Sequence, residues 1–187
     1  FYSSINADSE NQEGKFYIWE RDEIKKIIDS EDFSIIEKHY GLDEEANFEN
    51  RWHLTISDDT ENIAKDSKYE KEKLEDIVKK CNKMLLIERK LRIPPSVDKK
   101  QLTSWNALVI KGLAVSGRVL DRKDYIQSAR ESLEFIEKNQ FDKNILMACY
   151  INKMSKFPAY LDDHAFLLDA ILEFLQSEWD TKLLHFA

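Results

Sequence analysis

Two short stretches of the chain carry acidic, aromatic and amide side chains whose types suit acid–base chemistry and the binding of a polar ligand. One is Asp162-Asp163-His164, and the other runs from Asp98 to Asn106. Glycoside hydrolysis uses two carboxyl groups that face each other roughly 5 to 10 Å apart. Adjacent residues of a helix point about 100° apart, so Asp162 and Asp163 cannot form that pair alone. The catalytic hypothesis therefore pairs one of them with Asp98.

The alternative for the same acids is helix capping. Asp162 and Asp163 directly precede an apolar run over residues 165–176, which predicts a helix. Aspartate is favoured at the N-cap, where it accepts backbone N–H bonds, and in the first turn, where it meets the positive end of the helix dipole. Both interpretations of the pair stay open from the sequence.

His164 is a candidate base for sugar epimerisation, because the ordinary pKa of histidine lies close to working pH. It is the histidine that adjoins the acidic pair, whereas those at positions 39, 53 and 185 are scattered. The alternative is a histidine that satisfies local hydrogen bonds.

Four further residues are candidate substrate contacts: Trp105, Asn106, Lys100 and Tyr160. An indole ring can stack on a sugar, and a carboxamide can both donate to and accept from hydroxyl groups. The alternatives are that Trp105 plugs one end of the core and that Asn106 binds backbone.

The sequence predicts no metal site and no cofactor. Asn6, Asp8 and Glu10 alternate as in a calcium loop, but position six would be Asn11 rather than Gly and position twelve would be Tyr17 rather than Glu. Zinc-protease, phosphate-loop and nucleophile-elbow motifs do not occur in the sequence.

The element that must position these residues is the stretch Leu102 to Gly117, LTSWNALVIKGLAVSG. Its apolar residues occupy nearly the whole helical circumference, and Lys111 is its one charge. We expect Thr103 or Ser104 to cap this helix and Gly117 to end it. A helix of this kind must be wrapped by its neighbours, so it belongs to an inner layer.

Helices of two kinds alternate along the chain. The inner kind recurs at residues 165–176, while residues 69–91 and 122–138 carry a single apolar face. This alternation predicts a mainly α fold, a partial α/α toroid with inner apolar and outer amphipathic helices and one or two short hairpins. One hairpin is expected at residues 146–151. Seven or eight helices are too few for a closed ring of six hairpins.

Length and composition set further bounds. The 187 residues predict a single domain, a slice of the toroid with an irregular entry and short helices at 1–68 and paired helices at 69–187. The net charge of −8 argues against nucleic acid as a partner, and no apolar run is long enough for a membrane span.

Cys81 and Cys149 form no motif, so we expect reduced thiols and a cytoplasmic setting. Cut ends of a slice would expose apolar surface and promote self-association.

Three segments of the sequence match motifs known from other proteins. In chain order they are FYSSINADSENQEGKFYIW, KKQLTSWNALVIKGLAVSGRVL and YLDDHAFLLDAILEF. They resemble motifs of the large thioredoxin-domain-containing proteins of the spermatogenesis-associated protein 20 type. The resemblance implies a central slice of a six-hairpin, glycosidase-like toroid, related in fold to N-acylglucosamine 2-epimerases and several glycoside hydrolases. It also implies a thioredoxin-like domain elsewhere in such proteins.

Two functional hypotheses follow from the resemblance and the residues together. In the first, the chain is carbohydrate-active, epimerase-like or hydrolase-like, and uses Asp98, Asp162, Asp163 and His164 around a cavity. In the second, it is a non-catalytic scaffold that binds a protein or glycan partner for an attached thioredoxin-like domain. Acids that converge on one cavity would favour the first hypothesis, and acids that serve as caps would favour the second.

Overall fold

A computed structural model describes the backbone of residues 1–187 and every side chain except that of Asp142. The fold is mainly α. The helices of the described chain are α1 (Arg21–Ile27), α2 (Ser30–Tyr40), α3 (Thr60–Lys65), α4 (Lys71–Arg89), α5 (Thr103–Val119), α6 (Lys123–Asn139), α7 (Leu161–Leu175) and α8 (Thr181–Phe186). None of these helices is long and apolar enough to cross a lipid bilayer.

The strands of the described chain are short. They are β1 (Ser4–Ile5), β2 (Asp8–Ser9), β3 (Gln12–Glu13), β4 (Ile18–Trp19), β5 (Trp52–His53), β6 (Val97–Asp98), β7 (Gln101–Leu102), β8 (Phe141–Asp142), β9 (Ile145–Ile151) and β10 (Met154–Pro158). Residues 146–151, where the sequence predicts a hairpin, lie in the single strand β9. The hairpin extends further and is formed by β9 and β10, in which Tyr150 pairs with Ser155. Strand β7 adds to β9 and leads directly into α5.

The chain divides into two compact units. One contains residues 6–96, and the other contains residues 1–5 and 97–187. The boundary between these units does not coincide with the predicted boundary at residues 68 and 69, which separates an irregular entry with short helices from a region of paired helices. That the whole chain is a single domain stays a prediction.

The 6–96 unit has its own core beneath α4. This helix was expected over residues 69–91, and it buries the predicted apolar stripe, with Leu74, Ile77, Cys81 and Leu85 in the interior. Their spacing of three and four residues places them on one helical face. Burial raises the pKa of the Cys81 thiol to about 11, so this cysteine is a core residue rather than a reactive thiol.

The 97–187 unit is built around two parallel helices, α5 and α7. Lys111 pairs with Asp169 at 2.7 Å, and further along both helices Arg118 pairs with Glu173 at 3.1 Å. Contacts that advance together along both sequences require parallel axes. The amphipathic α6 lies between them in sequence and buries Ala129, Leu133 and Ile136 in the same core as α5 and α7.

The predicted end of the central helix at Gly117 is wrong. Helix α5 continues to Val119, and the left-handed residue that follows is Asp121, with φ of 52°. The Arg122 N–H then donates to the Gly117 carbonyl at 2.9 Å, as in a Schellman ending. Glycine is needed at position 117 for packing, because a Cβ there would lie 2.6 Å from Cδ1 of Ile126.

The expectation that the inner helices are wrapped on all sides is also wrong within this unit. Helix α5 leaves Leu108, Val109 and Val119 exposed, and α7 leaves Leu168 and Leu172 exposed. Each set recurs at helical spacing, so each helix buries one face and presents a second apolar face to solvent. Helices α5 and α7 form the inner layer of this unit. The packing of the amphipathic α6 against them covers one side of that layer and leaves the other side open.

Candidate functional site

The starts of α5 and α7 are joined by the carboxylate of Asp163. Its Oδ1 accepts the backbone N–H of Ser104 at 2.8 Å, and its Oδ2 accepts that of Tyr160 at 2.9 Å. The side chain is buried, with Asp163 only 3% exposed. First-turn N–H groups have no partner within their own helix, and a carboxylate is a strong acceptor for them. Asp163 therefore fixes two helix starts side by side.

The expected cap of α5 by Thr103 or Ser104 is wrong. The N-cap position is Leu102, which has no side-chain cap, and Asp163 supplies the acceptor from the other helix. The hydroxyl of Thr103 instead donates to the Met147 carbonyl of β9 at 2.6 Å. The cap comes from a residue distant in sequence, which no local pattern could indicate.

Sequence reasoning missed a buried polar contact beneath this helix start. Gln140 is fully buried, and its Nε2 donates to Oγ1 of Thr103 at 2.7 Å and to the Gln101 carbonyl at 3.1 Å. These bonds tie the end of α6 to the β7–α5 junction. A polar residue just after an amphipathic helix normally signals only a helix end, so the sequence offered no signal for this role.

Asp98 lies in β6 and is held by Lys100. Its Oδ1 accepts the Lys100 backbone N–H at 3.1 Å, and its Oδ2 lies 3.0 Å from the Lys100 ammonium. The backbone bond, followed by the ammonium, holds the Asp98 pKa below its usual range. Among the described side chains, no hydrogen bond or ion pair joins Asp98 to Asp162, Asp163 or His164. Asp98 is thus a solvent-facing, ionised carboxylate with a local partner.

Asp162 and His164 are both exposed in the first turn of α7. Residues two apart on a helix project about 200° apart, so these side chains leave the helix on nearly opposite sides. His164 lines a hollow of about 60 Å³ with Phe141, Leu168 and other apolar side chains. The three predicted acids and the histidine therefore do not converge within the described unit.

Trp105 and Tyr160 are both exposed beside the Asp163 joint. Trp105 follows Ser104 in the first turn of α5 and is 54% exposed, while Tyr160 precedes α7 and is 66% exposed. Because Asp163 binds the Ser104 and Tyr160 backbone, the two aromatic residues are anchored at one end of the parallel pair. These two residues are the exposed aromatic side chains of the site.

Asn106 is turned into the protein rather than toward solvent. It is buried, and its Nδ2 donates to the Leu102 carbonyl at 2.8 Å and to the Phe1 carbonyl at 3.2 Å. Its amide stabilises the helix start. Among the described residues, no three His, Cys, Asp or Glu side chains lie together in an arrangement that could hold a metal ion.

Fold and site together define a mainly α protein that presents two aromatic side chains at the joined starts of two parallel helices. No protein-family profile matches the chain. The chain is similar over its full length to spermatogenesis-associated protein 20 of Rattus norvegicus, with 27% identity, and of Homo sapiens, with 26% identity. These similarities confirm the resemblance that the three sequence segments indicated. The chain spans 28% of the length of either relative.

Among solved structures, the chain is similar to a cellobiose 2-epimerase from Bacillus thermoamylovorans. The identity is 18% and the TM-score is 0.43, over 48% of this chain and 26% of the epimerase.

Proposed function

We propose that the 97–187 unit is a carbohydrate-binding part of an α/α toroid, in which Trp105 and Tyr160 stack on sugar rings. The observation that carries this proposal is the Asp163 joint, which anchors both aromatic residues at adjacent helix starts. Exposed aromatic rings that are held by rigid helices offer stacking area with little loss of conformational freedom on binding. Asp162 is exposed in the same turn and can accept hydrogen bonds from sugar hydroxyls.

The geometry favours binding over turnover within this unit. A general acid or nucleophile needs a carboxyl group that can reach substrate, and the Asp163 oxygens are used by two backbone N–H groups in the interior. Asp98 is paired with Lys100 and has a lowered pKa, which makes it a poor proton donor near neutral pH. Epimerase-like or hydrolase-like activity would therefore need, besides the exposed Asp162, at least one catalytic group from outside this unit.

A second candidate function is binding of a polypeptide partner. It is favoured by the exposed apolar faces of α5 and α7, which include Leu108, Val119, Leu168 and Leu172. Exposed apolar side chains of this kind suit another protein surface, including a second copy of the chain, better than they suit a sugar. Such a scaffold could serve an attached thioredoxin-like domain.

We further propose a reducing, cytoplasmic setting. Cys81 and Cys149 are free and buried. Burial raises the pKa of both thiols, which keeps them protonated and slow to oxidise.

A thermal-shift screen tests the carbohydrate proposal. The chain would be heated with glucose, N-acetylglucosamine and cellobiose in turn, alongside the variants Trp105→Ala and Tyr160→Ala. A ligand at about 100 times its dissociation constant adds about 2.7 kcal/mol of stability, which is readily measured. We expect a sugar-dependent shift that either variant abolishes.

Val119→Ala is the matched control for this screen. Val119 lies on α5 and is 73% exposed, but it sits at the other end of the helix from Trp105. Its loss should leave the sugar-dependent shift intact. A panel without any shift, combined with light scattering that shows oligomers which Val119→Ala weakens, would favour the polypeptide-binding alternative.

A further inference from the structure

The 6–96 unit contains an open cleft that is distinct from Trp105, Tyr160 and the predicted catalytic residues. Its volume is about 340 Å³, which lies in the range of small-molecule sites. The walls come from the β2–β3 hairpin and the residues after it, the start of α1, Arg51, and the segment that follows α4. All of these belong to one compact unit.

Three ion pairs line the cleft. Lys15 lies 3.0 Å from Glu10, Arg51 lies 3.4 Å from Glu20, and Arg92 lies 2.7 Å from Glu23. Three cations therefore face three anions, and the lining carries no net charge. Lys15 and Arg51 each make a single ion-pair contact, so both cations retain free N–H donors. The Glu20 and Glu23 carboxylates also take part in the capping box at the start of α1.

Arg92 makes one wall of the cleft rigid. Its guanidinium carbon lies 3.9 Å from the ring centroid of Trp19, which is buried. Its Nη1 also donates to the Ile18 carbonyl at 2.7 Å and the Phe16 carbonyl at 3.1 Å. An arginine that is held by stacking and several hydrogen bonds is already ordered before a ligand arrives.

Apolar side chains complete the lining. Leu91 is 75% exposed and Ile93 is 60% exposed, and both flank Arg92 at the mouth of the cleft, where Phe16 also contributes. Exposed aliphatic side chains next to charged pairs offer contact area for C–H groups and donors and acceptors for polar groups.

We propose that this cleft binds a neutral polyhydroxylated molecule of the saccharide class. A hydroxyl group both donates and accepts, so it can bridge the two members of an ion pair without displacing either. A ligand with a net charge would have to compete with a cation or anion that is already paired. The C–H faces of a sugar ring match Leu91, Ile93 and Phe16. The proposal does not depend on the Trp105 and Tyr160 site, because no residue is shared.

A ¹H–¹⁵N NMR titration of the chain tests this site. The probes are glucose, N-acetylglucosamine, cellobiose and myo-inositol, with inorganic phosphate and free lysine as charged probes. We expect a neutral probe to shift the amide signals of residues 15–23 and 91–93. Arg51→Gln removes a charged hydrogen-bond donor from the cleft. This variant should therefore bind the neutral probe about ten-fold more weakly or worse.

Two more variants keep the outcome decisive. Leu91→Ser changes a strongly exposed side chain, so it should fold normally and also weaken the neutral probe. Trp105→Ala should leave the cleft signals unchanged, whether or not the site in the 97–187 unit binds sugar. The proposal is overturned if no neutral probe shifts these signals, if both cleft variants bind as the unaltered chain does, or if phosphate or lysine binds in preference.

Discussion

The carboxylate of Asp163 in α7 accepts the backbone N–H of Ser104 in α5 at 2.8 Å, across 59 positions of sequence. A second bond, from the Tyr160 N–H at 2.9 Å, uses the other oxygen. One buried side chain thus caps its own helix and the neighbouring one. This relationship accounts for the placement of the exposed aromatic residues on which the proposed function depends.

Replacement of Asp163 by asparagine should destabilise the fold. Asparagine keeps one acceptor oxygen, and its NH₂ group would face a backbone N–H that loses its partner. An unsatisfied buried donor costs about 1–3 kcal/mol, and we expect a loss of that size in the free energy of urea unfolding. The control is Asp162→Asn on the exposed side of the same turn, which should change stability by less than about 0.5 kcal/mol. Equal effects of the two substitutions would contradict the capping role.

The two glycines of α5 should respond to alanine in opposite directions. At Gly117 a new Cβ would lie 2.6 Å from Cδ1 of Ile126, and overpacking of this kind costs about 1–3 kcal/mol. At Gly112 nothing lies within 4 Å of the new Cβ, so Gly112→Ala should stabilise the helix by about 0.5–1 kcal/mol. Thermal or urea unfolding of the two variants measures both effects. If Gly117→Ala were as stable as Gly112→Ala, the close packing of α5 on α6 would be incorrect.

Thr103 should tolerate serine better than valine. Its hydroxyl donates to the Met147 carbonyl and accepts from Gln140, and all of Thr103 is buried. Valine fills the same volume but leaves the Met147 carbonyl and one of the two N–H groups of the Gln140 amide without their partner, at a cost of about 1–3 kcal/mol. Serine keeps the hydroxyl and loses one methyl group, which costs about 1 kcal/mol. Urea unfolding ranks the variants, and a more stable valine variant would show that the hydroxyl is not needed.

The Asp180–Arg130 pair predicts a specific pH dependence. Arg130 donates to Oδ2 of Asp180 at 2.9 Å and is the main reason that the Asp180 pKa is lowered. A folded pKa below the unfolded value, about 3.9 for aspartate, means that this stabilisation is present above about pH 4. It is lost as the pH falls through the lowered pKa of the folded state.

Asp180→Asn isolates this effect, because the remaining side-chain oxygen can still accept the Lys182 and Leu183 N–H groups at the start of α8. The stability difference between the unaltered chain and this variant should be constant near neutral pH and shrink below about pH 4. Urea unfolding from about pH 7 to about pH 2 covers the range. A difference that grows on acidification would have the wrong sign for this pair.

The elements of the fold were largely predictable from local pattern. The stripe of α4 and the hairpin that follows α6 depend on residues close in sequence, so periodicity and turn position indicate them. The end of α5 was missed because Gly117 serves packing against Ile126, and Asp121 takes the left-handed position instead. A glycine near the end of an apolar run cannot by itself distinguish these two roles.

The candidate residues were harder to interpret than the elements. The Asp163 cap on α5 and the Thr103–Gln140 contact join distant parts of the chain, so no spacing in the sequence reveals them. Arg92 was missed for the same reason, because its partners Trp19 and Glu23 lie about 70 positions away. The tertiary fold alone decides whether an acid near a helix start caps that helix or faces a cavity.

The fluorescence of Trp105 during a saccharide titration tests directly whether a sugar binds at the joined starts of α5 and α7. In a Trp179→Phe background the other strongly exposed tryptophan is removed, since Trp179 is 68% exposed and Trp19 only 2%. Trp52 is partly buried, and its Nε1–H donates to the Gly41 carbonyl. We expect that a sugar which stabilises the chain also shifts the emission to shorter wavelength and protects Trp105 from acrylamide quenching. A stabilising sugar that leaves both the emission and the quenching of Trp105 unchanged would contradict a carbohydrate site at the joined starts of α5 and α7.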